Sequence, residues 1–458
     1  DQVSQLDEGY IEDGVDPGIY GSKHYVRSYP AGTLAGNLVG YQFETEDRVG
    51  VKQYTGLEDE LNDKLAGKAG RTEIEVGANK QPIPGGDASS DPAEPGCDVT
   101  LTIDATLQFE AQQLIDAQVA KTKARSGMVV AIDIPTGEVL ALADSGSPDP
   151  ANPTGRTNSR ALENIFEPGS TGKVVTMAML LEEGFATPAS QYTVPSQVTL
   201  GDGQTFVDSS AHAVYSLTLA GVLAKSSNVG TVLAAQNVPD ETRYEYLKRF
   251  GFGEPTGIEL PEAEGVVHRP GVLPASDGQP YWDGRTRNNV LFGQGLSVNA
   301  LQATEVFATL GNGGLRVQPH LVKGWQCGAG GFEAAPAAAT NRVVSEATAG
   351  QLVEMMEQAV EFGTGKSAQV AGYRTAGKTG TSQMYEDSNQ FYVSSFAGLL
   401  PVEDPRVAIG VFIVDPKAEG YYGAVVAGPV FEELAASAVD RLGVPPSTTA
   451  PSVLALEW

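Results

Sequence analysis

The chain has 458 residues, enough for about three domains of average size, and its 41% hydrophobic and 19% charged residues are typical of a folded globular protein. Its 30 Lys and Arg residues stand against 57 Asp and Glu residues, and the net charge of −27 disfavours nucleic acid and anionic membrane surfaces as partners. Two cysteines and four scattered histidines exclude a disulfide scaffold and a thiolate zinc centre, and they disfavour a histidine metal centre. We therefore expect neither a metal nor another cofactor.

The chain contains no run of 18 apolar residues, so we expect that it does not itself cross a membrane. It begins with Asp1 rather than Met and shows no signal peptide. We interpret it as a processed or trimmed form, with any membrane anchor lying upstream.

The first part of the chain is predicted to be a separate region of short elements. Leucines at helical spacing between residues 57 and 65 predict a helix that ends at the following glycines. Residues 82–96 are rich in Pro, Gly, Asp, Ser and Ala, a composition typical of a loop or hinge, and we place a domain boundary there. The predicted domains are residues 1–95 and 96–443, followed by a surface tail over residues 444–458.

The second region is predicted to be an antiparallel sheet covered by helices, which is an α+β fold. Alternation indicates a strand at residues 99–103, and two β-rich runs joined by Pro135-Thr136-Gly137 indicate a hairpin. Helices follow in the middle and three further strands come late, which indicates an antiparallel sheet covered by helices. Asp104 is a candidate cap for the first helix. The predicted strands are 99–103, 127–133, 138–143, 373–381, 394–400 and 407–414, and the predicted helices are 106–123, 170–181, 216–225, 229–236 and 428–442.

The pattern S-x-x-K occurs once, at Ser170 and Lys173. Pro168 and Gly169 fit just outside a helix start and an apolar segment follows, so both side chains are predicted on one face of that helix. Backbone N–H groups at a helix start can stabilise an oxyanion, and a buried lysine with a lowered pKa can take the serine proton. By itself, the pattern more often marks a helix-capping serine beside a surface lysine.

A polar segment, Lys225-Ser226-Ser227-Asn228, lies between two apolar helical segments, where its side chains must find partners or face a cleft. A second S-x-N tripeptide occurs at residues 297–299, so the tripeptide alone decides nothing. Order along the chain and position between helices favour Ser226 and Asn228.

The pattern K-T-G occurs once, at Lys378, Thr379 and Gly380, and Thr381 follows. Glycines on both sides of the lysine allow a ligand backbone to approach the strand closely, and the lysine and two threonine hydroxyls could hold a substrate carboxylate. An exposed edge strand is the structural alternative. However, S-x-x-K, S-x-N and K-T-G in this order form the signature of penicillin-binding proteins and serine β-lactamases.

On these residues the chain resembles the class B, monofunctional penicillin-binding proteins, and most of all the division-specific FtsI type (penicillin-binding protein three). The resemblance covers nearly the whole chain and implies a penicillin-binding domain on an N-terminal pedestal domain. The matching segments are 27–30, 34–40 and 56–58 in the pedestal, and 101–104, 166–170, 225–230, 250–253, 256–257 and 293–295 in the second domain.

The resemblance implies a D,D-transpeptidase that cross-links peptidoglycan stem peptides ending in D-Ala–D-Ala during septum synthesis, and that β-lactams inhibit covalently. Ser170 would be the nucleophile and Lys173 its base, while Ser226 and Asn228 would relay a proton and orient the substrate. Lys378, Thr379, Gly380 and Thr381 would bind the substrate carboxylate. The backbone N–H groups of Ser170 and Thr381 would form the oxyanion hole.

The resemblance also implies an extracytoplasmic location and a membrane anchor outside this chain. A membrane glycosyltransferase and other division proteins are the implied protein partners. Cys97 and Cys327 are therefore free to form a disulfide, but the sequence does not bring them together.

Several alternatives stay open. One is an elongation-type transpeptidase, and another is a hydrolase on the same fold, either a D,D-carboxypeptidase or a β-lactamase. A hydrolase needs a base for deacylation, and the acidic stretch at residues 259–264 is the only obvious place for one. The last alternative is a non-catalytic scaffold or β-lactam sensor. The lifetime of the acyl-enzyme distinguishes these classes, because a β-lactamase would lose the acyl group within seconds, whereas a synthase or a sensor would keep it for hours.

If Lys173 and Lys378 both approach Ser170, burial and their like charges disfavour the protonated forms, so the pKa of one lysine should fall. We expect Lys173 to be that lysine, because it lies in the first turn of a helix, where the helix dipole opposes positive charge. Lys378 is expected to open toward the substrate carboxylate and to stay charged.

Overall fold

The computed structural model describes residues 27–43, 53–78, 81–154, 156–271, 282–386 and 389–458. Its larger domain is built on a five-stranded antiparallel sheet, which confirms the predicted architecture. The predicted hairpin and the three late strands all belong to this sheet. In spatial order, its strands are Ala376–Glu386, Asn389–Leu400, Val407–Val414, Ser126–Asp133 and Val139–Asp144.

Helices bury both faces of this sheet. Successive residues of a strand point to opposite sides, so Met128 and Val130 pack into one hydrophobic cluster while Val129 and Ala131 pack into another. One face is covered by the helices Ala105–Thr122 and Gly428–Arg441, and the other by Ala300–Gly311 and Glu346–Glu361.

The predicted helix cap at Asp104 is confirmed, because its carboxylate accepts hydrogen bonds from Thr106 N and Leu107 N at 3.0 Å. The helix predicted over residues 170–181 begins instead with a 3₁₀ turn, Gly169–Gly172, before the α-helix Lys173–Glu182.

The helix predicted over residues 216–225 is only partly correct. Its first residues form the strand Tyr215–Thr218, which pairs with Gln191–Val194, and the helix covers Leu219–Lys225. Thr218 ends the strand and caps the helix, since its hydroxyl accepts a hydrogen bond from Gly221 N. Pairing with a distant strand overrides the local helical periodicity here.

The described part of the N-terminal domain consists of short elements, as predicted. The helix predicted between residues 57 and 65 is interrupted at Leu61, whose φ of −104° and ψ of 6° lie outside the helical range. The stretch predicted as a loop, residues 82–96, contains the strand Ala88–Asp91, which pairs with Arg71–Ile74. Both strands are exposed along their length, so a polar composition does not prevent this pairing.

The two domains are joined through the strand Cys97–Leu101, which pairs with Val322–Cys327. A disulfide connects Cys97 to Cys327 across this pair of strands. The two cysteines are 230 residues apart in the sequence, so the disulfide closes a long loop. A second link is formed by Asn37 Nδ2, which donates to the buried Asp144 Oδ2 at 2.7 Å.

The tail, residues 444–458, lies along the surface of the larger domain and is held there at several points. Thr218 N donates to Leu456 O at 3.0 Å, and Ser452 N donates to Glu357 Oε2 at 3.0 Å. Leu454 and Leu456 pack against the main hydrophobic core. The tail therefore braces the start of the helix Leu219–Lys225.

The remaining described elements are short. Within the described residues, no helix is both long and apolar enough to cross a membrane. The other helices are Gly36–Val39, Gly56–Glu60, Asn62–Leu65, Arg160–Glu163, Asn228–Ala235, Asp240–Arg249, Thr286–Asn289 and Gly423–Val426, and the other 3₁₀ turns are Val290–Phe292 and Lys366–Ala368. The other strands are Gln42–Phe43, Gln53–Tyr54, Gln197–Thr199, Thr205–Val207, Leu315–Val317, Phe332–Ala334 and Thr340–Arg342.

Candidate active site

Ser170 lies on a tight turn that neighbouring glycines make possible. Gly169 has a φ of +57°, a left-handed conformation that favours glycine, and its N–H donates to Gly293 O at 2.9 Å. Gly293 has a φ of +77°, and a Cβ at this position would collide with Gly169 O. The backbone at Gly293 thus lies closer to the backbone of Gly169, beside Ser170, than a residue with a side chain would allow.

Lys173 follows at the start of the α-helix, with its side chain fully buried. Its Nζ lies 2.9 Å from Ser170 Oγ. Burial lowers the pKa of Lys173 to about 7, although the negative charge of Asp208 opposes this shift. A neutral amine is therefore available near neutral pH within hydrogen-bond distance of the serine hydroxyl, as a nucleophile and its base require.

Ser226 connects Lys173 to Lys378. It lies between the helices Leu219–Lys225 and Asn228–Ala235 with a φ of +59°, which is uncommon for a residue other than glycine. Lys173 Nζ donates to Ser226 O at 2.7 Å and lies 3.3 Å from Ser226 Oγ. Lys378 Nζ donates to the same Oγ at 2.8 Å. One hydroxyl therefore contacts both amines.

The position of Lys378 differs from the expectation that it opens toward a substrate carboxylate. Its side chain is fully buried, and besides Ser226 its Nζ donates to Thr379 O at 3.0 Å. Burial lowers the pKa of Lys378 well below its usual range, and the charge of Lys173 lowers it further. Protonation of one amine thus disfavours protonation of the other, and the expectation that Lys378 stays charged remains a prediction.

The strand Ala376–Glu386 forms one edge of the sheet, and Thr379, Gly380 and Thr381 line a cleft along it. A Cβ at Gly380 would collide with Ser395 Oγ and would lie 3.1 Å from Pro168 O. Only glycine therefore lets this strand pack against the turn that carries Ser170. This close contact brings the S-x-x-K and K-T-G segments together.

The cleft has a volume of about 480 Å³ and is also lined by Ser170, Ser226 and Asn228, so the structure brings the three motifs to one place. Asn228 Nδ2 donates to Val207 O at 3.2 Å, which orients the side chain at the wall of the cleft.

The sequence patterns did not identify several other residues that line the cleft. Thr364 Oγ1, for example, lies 2.9 Å from Thr379 Oγ1. Thr364 lies on a loop after a helix, and no local pattern marks it as part of the site. The residues not singled out are Ser209, Ser210, Thr364 and residues 422–425.

The acidic stretch at residues 259–264 has a structural role. The carboxylate of Glu259 accepts hydrogen bonds from Leu321 N at 2.7 Å and from Val322 N at 3.1 Å, while Glu262 accepts from Gly257 N at 3.0 Å. Among the described residues that line the cleft, none is Asp or Glu. The stretch therefore supplies no deacylation base to this cleft.

The second S-x-N tripeptide is also structural. Asn299 is fully buried and caps the helix Ala300–Gly311, where its side chain accepts a hydrogen bond from Gln302 N at 2.8 Å. In the part of the chain that the structure describes, no group of His, Cys, Asp and Glu residues is arranged to hold a metal ion.

Comparison with known families assigns both domains. The model of the penicillin-binding protein transpeptidase domain matches residues 127–436, and that of the penicillin-binding protein dimerisation domain matches residues 2–101. Because the first model alone covers more than half of the sequence, the chain belongs to the penicillin-binding protein transpeptidase family.

Individual relatives support this assignment. Penicillin-binding protein PbpB of Mycolicibacterium smegmatis is 35% identical over 94% of this chain and 67% of its own length. Peptidoglycan D,D-transpeptidase FtsI of Escherichia coli is 32% identical over 97% of this chain and 72% of its own length. This chain thus spans about two thirds of the length of the first curated relatives that it matches.

Solved structures show the same fold. Penicillin-binding protein 3 from Mycobacterium tuberculosis, complexed with ampicillin, superposes with a TM-score of 0.80 at 33% identity, covering 94% of this chain and 93% of that one. The predicted family and the two-domain fold are therefore confirmed.

Proposed function

We propose that the protein is a serine D,D-transpeptidase that cross-links the stem peptides of peptidoglycan through an acyl-enzyme on Ser170. The observation that carries this proposal is the contact of 2.9 Å between Ser170 Oγ and the fully buried Lys173 Nζ. A relative that is 32% identical over 97% of this chain is named a peptidoglycan D,D-transpeptidase, which supports the same reaction.

In the acylation step, Ser170 Oγ attacks the carbonyl carbon of the penultimate D-Ala of a donor stem, and the neutral amine of Lys173 takes the hydroxyl proton. The amide C–N bond then breaks, and the leaving terminal D-Ala takes up a proton at its nitrogen. Ser226 is positioned to relay that proton, because its hydroxyl contacts both lysine amines. The products are an ester on Ser170 and free D-Ala.

In the second step, the amine of an acceptor stem attacks the ester. The acceptor nitrogen loses a proton to Lys173, and Ser170 leaves as the alcohol with its proton restored. The result is a new peptide bond and the free enzyme. An acceptor amine must therefore reach the ester before water does.

The site also has groups to stabilise and orient the substrate. Ser170 lies at the start of a helical turn, where backbone N–H groups lack intrahelical partners, and Thr381 lies on the edge strand opposite. We assign the backbone N–H groups of these two residues to the oxyanion hole. We assign the hydroxyls of Thr379 and Thr381 to the terminal carboxylate, with Asn228 orienting the donor amide.

The charge of Lys378 contributes to carboxylate binding indirectly, through Thr379. Lys378 Nζ donates a hydrogen bond to the backbone oxygen of that residue. This role differs from direct contact with the carboxylate. It fits a lysine that also holds the hydroxyl of Ser226.

A β-lactam presents a strained amide to the same serine, and its leaving nitrogen stays tethered to the acyl group. Such an adduct persists unless water is activated. The absence of acidic residues among the described cleft-lining residues favours a synthase over a β-lactamase or D,D-carboxypeptidase.

The test is an exchange reaction. A donor peptide ending in D-Ala–D-Ala is incubated with a different D-amino acid as acceptor, and the products are followed by mass spectrometry. We expect free D-Ala and the exchanged peptide, and neither product with Ser170→Ala. Formation of only the shortened, hydrolysed peptide would favour the D,D-carboxypeptidase alternative.

We further infer an extracytoplasmic role in septum synthesis, with a membrane anchor and a membrane glycosyltransferase partner. The similarity to FtsI over 97% of this chain supports the septal assignment, and the disulfide between Cys97 and Cys327 fits an oxidising compartment. Depletion of the full protein in its host tests this. Filaments without septa are the expected outcome, whereas loss of rod shape with normal septa would favour the elongation alternative.

A further inference from the structure

Asp208 lies behind the turn that carries Ser226 and is not part of any of the three motifs. Its Oδ2 accepts a hydrogen bond from Ser227 Oγ at 2.7 Å, and its Oδ1 accepts one from Val229 N at 3.0 Å. Its side chain is only 8% exposed. The carboxylate therefore holds both the last residue of the turn and the start of the helix Asn228–Ala235.

His212 holds Asp208 in place. His212 Nε2 lies 2.9 Å from Asp208 Oδ2, and its Nδ1 lies 2.6 Å from Ala213 O. Both ring nitrogens of His212 therefore lie within hydrogen-bond distance of an acceptor oxygen. The ring also stacks on Tyr215, with 4.0 Å between ring centroids and 5° between the planes. His212 is thus fixed on several sides.

The turn held in this way is strained and carries the proton-transfer groups. Ser226 has a left-handed backbone, and both its carbonyl and its hydroxyl lie within hydrogen-bond distance of Lys173 Nζ. The peptide bond that bears this carbonyl leads directly into Ser227, whose hydroxyl donates to Asp208. Release of Ser227 would free the turn to relax away from Lys173.

Several charges meet at this place. The charged groups that bear on Lys173 are Asp208 and the like-charged Lys378, and the charge of Asp208 partly offsets the effect of burial on Lys173. His212 and Ser227 both contact Asp208 Oδ2, and Lys225 packs over the ring of Tyr215. Asp208 thus places a negative charge next to the Ser226 turn, where the charge acts on Lys173.

We infer that Asp208, clamped by His212, is a positioning residue of the acyl-transfer site. It fixes the Ser226 turn against Lys173 through Ser227, and it places a negative charge beside that turn, where the charge acts on Lys173. This inference rests on the proposed function, because it concerns acylation of the same Ser170.

The test is the pH profile of acylation by benzylpenicillin, measured as a second-order rate constant between about pH 5.5 and 9.5. Without the negative charge, the protonated form of Lys173 is less favoured, so its pKa falls. In Asp208→Asn and Asp208→Ser, the midpoint of the rising limb should therefore move to lower pH by about one unit. The plateau should also fall about tenfold, because at least one of the two hydrogen bonds that hold the turn is lost.

Matched variants separate charge from structure. Ser227→Ala removes the hydrogen bond from Ser227 to Asp208 but keeps the negative charge of Asp208. It should therefore lower the plateau of the acylation rate without moving the midpoint of the pH profile. Asp208→Glu should keep the midpoint of the unmodified protein. Asp202→Asn serves as a control, because it removes an exposed carboxylate from the same region.

His212 gives an independent test if the charge-removing variants do not fold. His212→Ala should lower the plateau rate several-fold, and His212→Gln should restore most of it, because the glutamine amide also donates a hydrogen bond to Asp208. An unmoved midpoint in folded Asp208→Asn or Asp208→Ser would overturn the inference. An undiminished plateau of the acylation rate in His212→Ala would show that His212 is not needed to hold Asp208 in place. No adduct in the unmodified protein would instead count against the proposed function.

Discussion

Lys378 Nζ lies 2.8 Å from Ser226 Oγ, so the lysine of the K-T-G segment contacts the turn between two helices rather than the open cleft. The two motifs are therefore one hydrogen-bonded unit. We therefore expect a substitution at Lys378 to act on proton transfer as well as on substrate binding.

Lys378→Arg should lower the limiting rate of acylation about tenfold or more, because the larger planar guanidinium overfills a fully buried site and displaces the Ser226 hydroxyl. Stopped-flow measurement with a chromogenic β-lactam separates the limiting rate from the affinity. Lys225→Arg is the matched control, since Lys225 lines the same cleft but has an exposed side chain. A loss confined to affinity in Lys378→Arg would restore the simpler role of direct carboxylate binding.

Lys173→Arg should reduce acylation by about 10²- to 10⁴-fold, since guanidinium does not give up its proton at any working pH. In the unmodified protein, the rate should rise with pH around the Lys173 pKa of about 7 and level off well below pH 10. The rise follows because the amine acts as a base only after losing its proton. Rates in Lys173→Arg close to those of the unmodified protein would show that another group is the base.

Gly380→Ala should lower both activity and stability, because the added methyl group would collide with Ser395 Oγ and press on Pro168 O. We expect a loss of about 1–3 kcal/mol in the free energy of unfolding and at least tenfold slower acylation. Gly350→Ala is the control. Its methyl group meets nothing within 4 Å on the helix Glu346–Glu361, and it should stabilise the protein by about 0.5–1 kcal/mol. Equal acylation rates in the two variants would contradict the proposed packing.

Replacing both Cys97 and Cys327 by serine should lower the free energy of unfolding by about 2–5 kcal/mol, because the disulfide closes a long loop. Acylation at a permissive temperature should be unchanged, since the disulfide lies at the domain junction and not among the cleft-lining residues. Thermal unfolding with and without a reductant measures the effect. The serine variant should not respond to the reductant, and an unmodified protein that also fails to respond would count against the disulfide.

Much of the site could be predicted from the sequence because its chemistry is concentrated in three short patterns. Ser170 and Lys173 meet because they share one face of a helix start, and Lys378 is found because glycines flank it on a strand. Local spacing and residue type were sufficient in these cases. The same holds for two strands of the sheet, Ser126–Asp133 and Val407–Val414, which carry long apolar runs.

The rest depends on contacts between distant parts of the chain. The direction of the Lys378 side chain is set by Ser226, which lies 152 residues earlier, and Cys97 meets Cys327 only because two strands pair. Asp208 and Thr364 lie on loops whose positions follow from packing and not from local pattern. A short exposed strand such as Ala88–Asp91 is equally hard to predict, since it has no buried face to produce alternation.

We expect Ser170 to form a long-lived acyl-enzyme. Intact-mass measurement after incubation with benzylpenicillin, followed over hours and combined with peptide mapping, tests it most directly. Opening of the ring loses no atoms, so we expect the mass of the protein to rise by one whole β-lactam, with the label on Ser170 and no label in Ser170→Ala. A stable adduct in Ser170→Ala, or an adduct that disappears within seconds in the unmodified protein, would contradict the account.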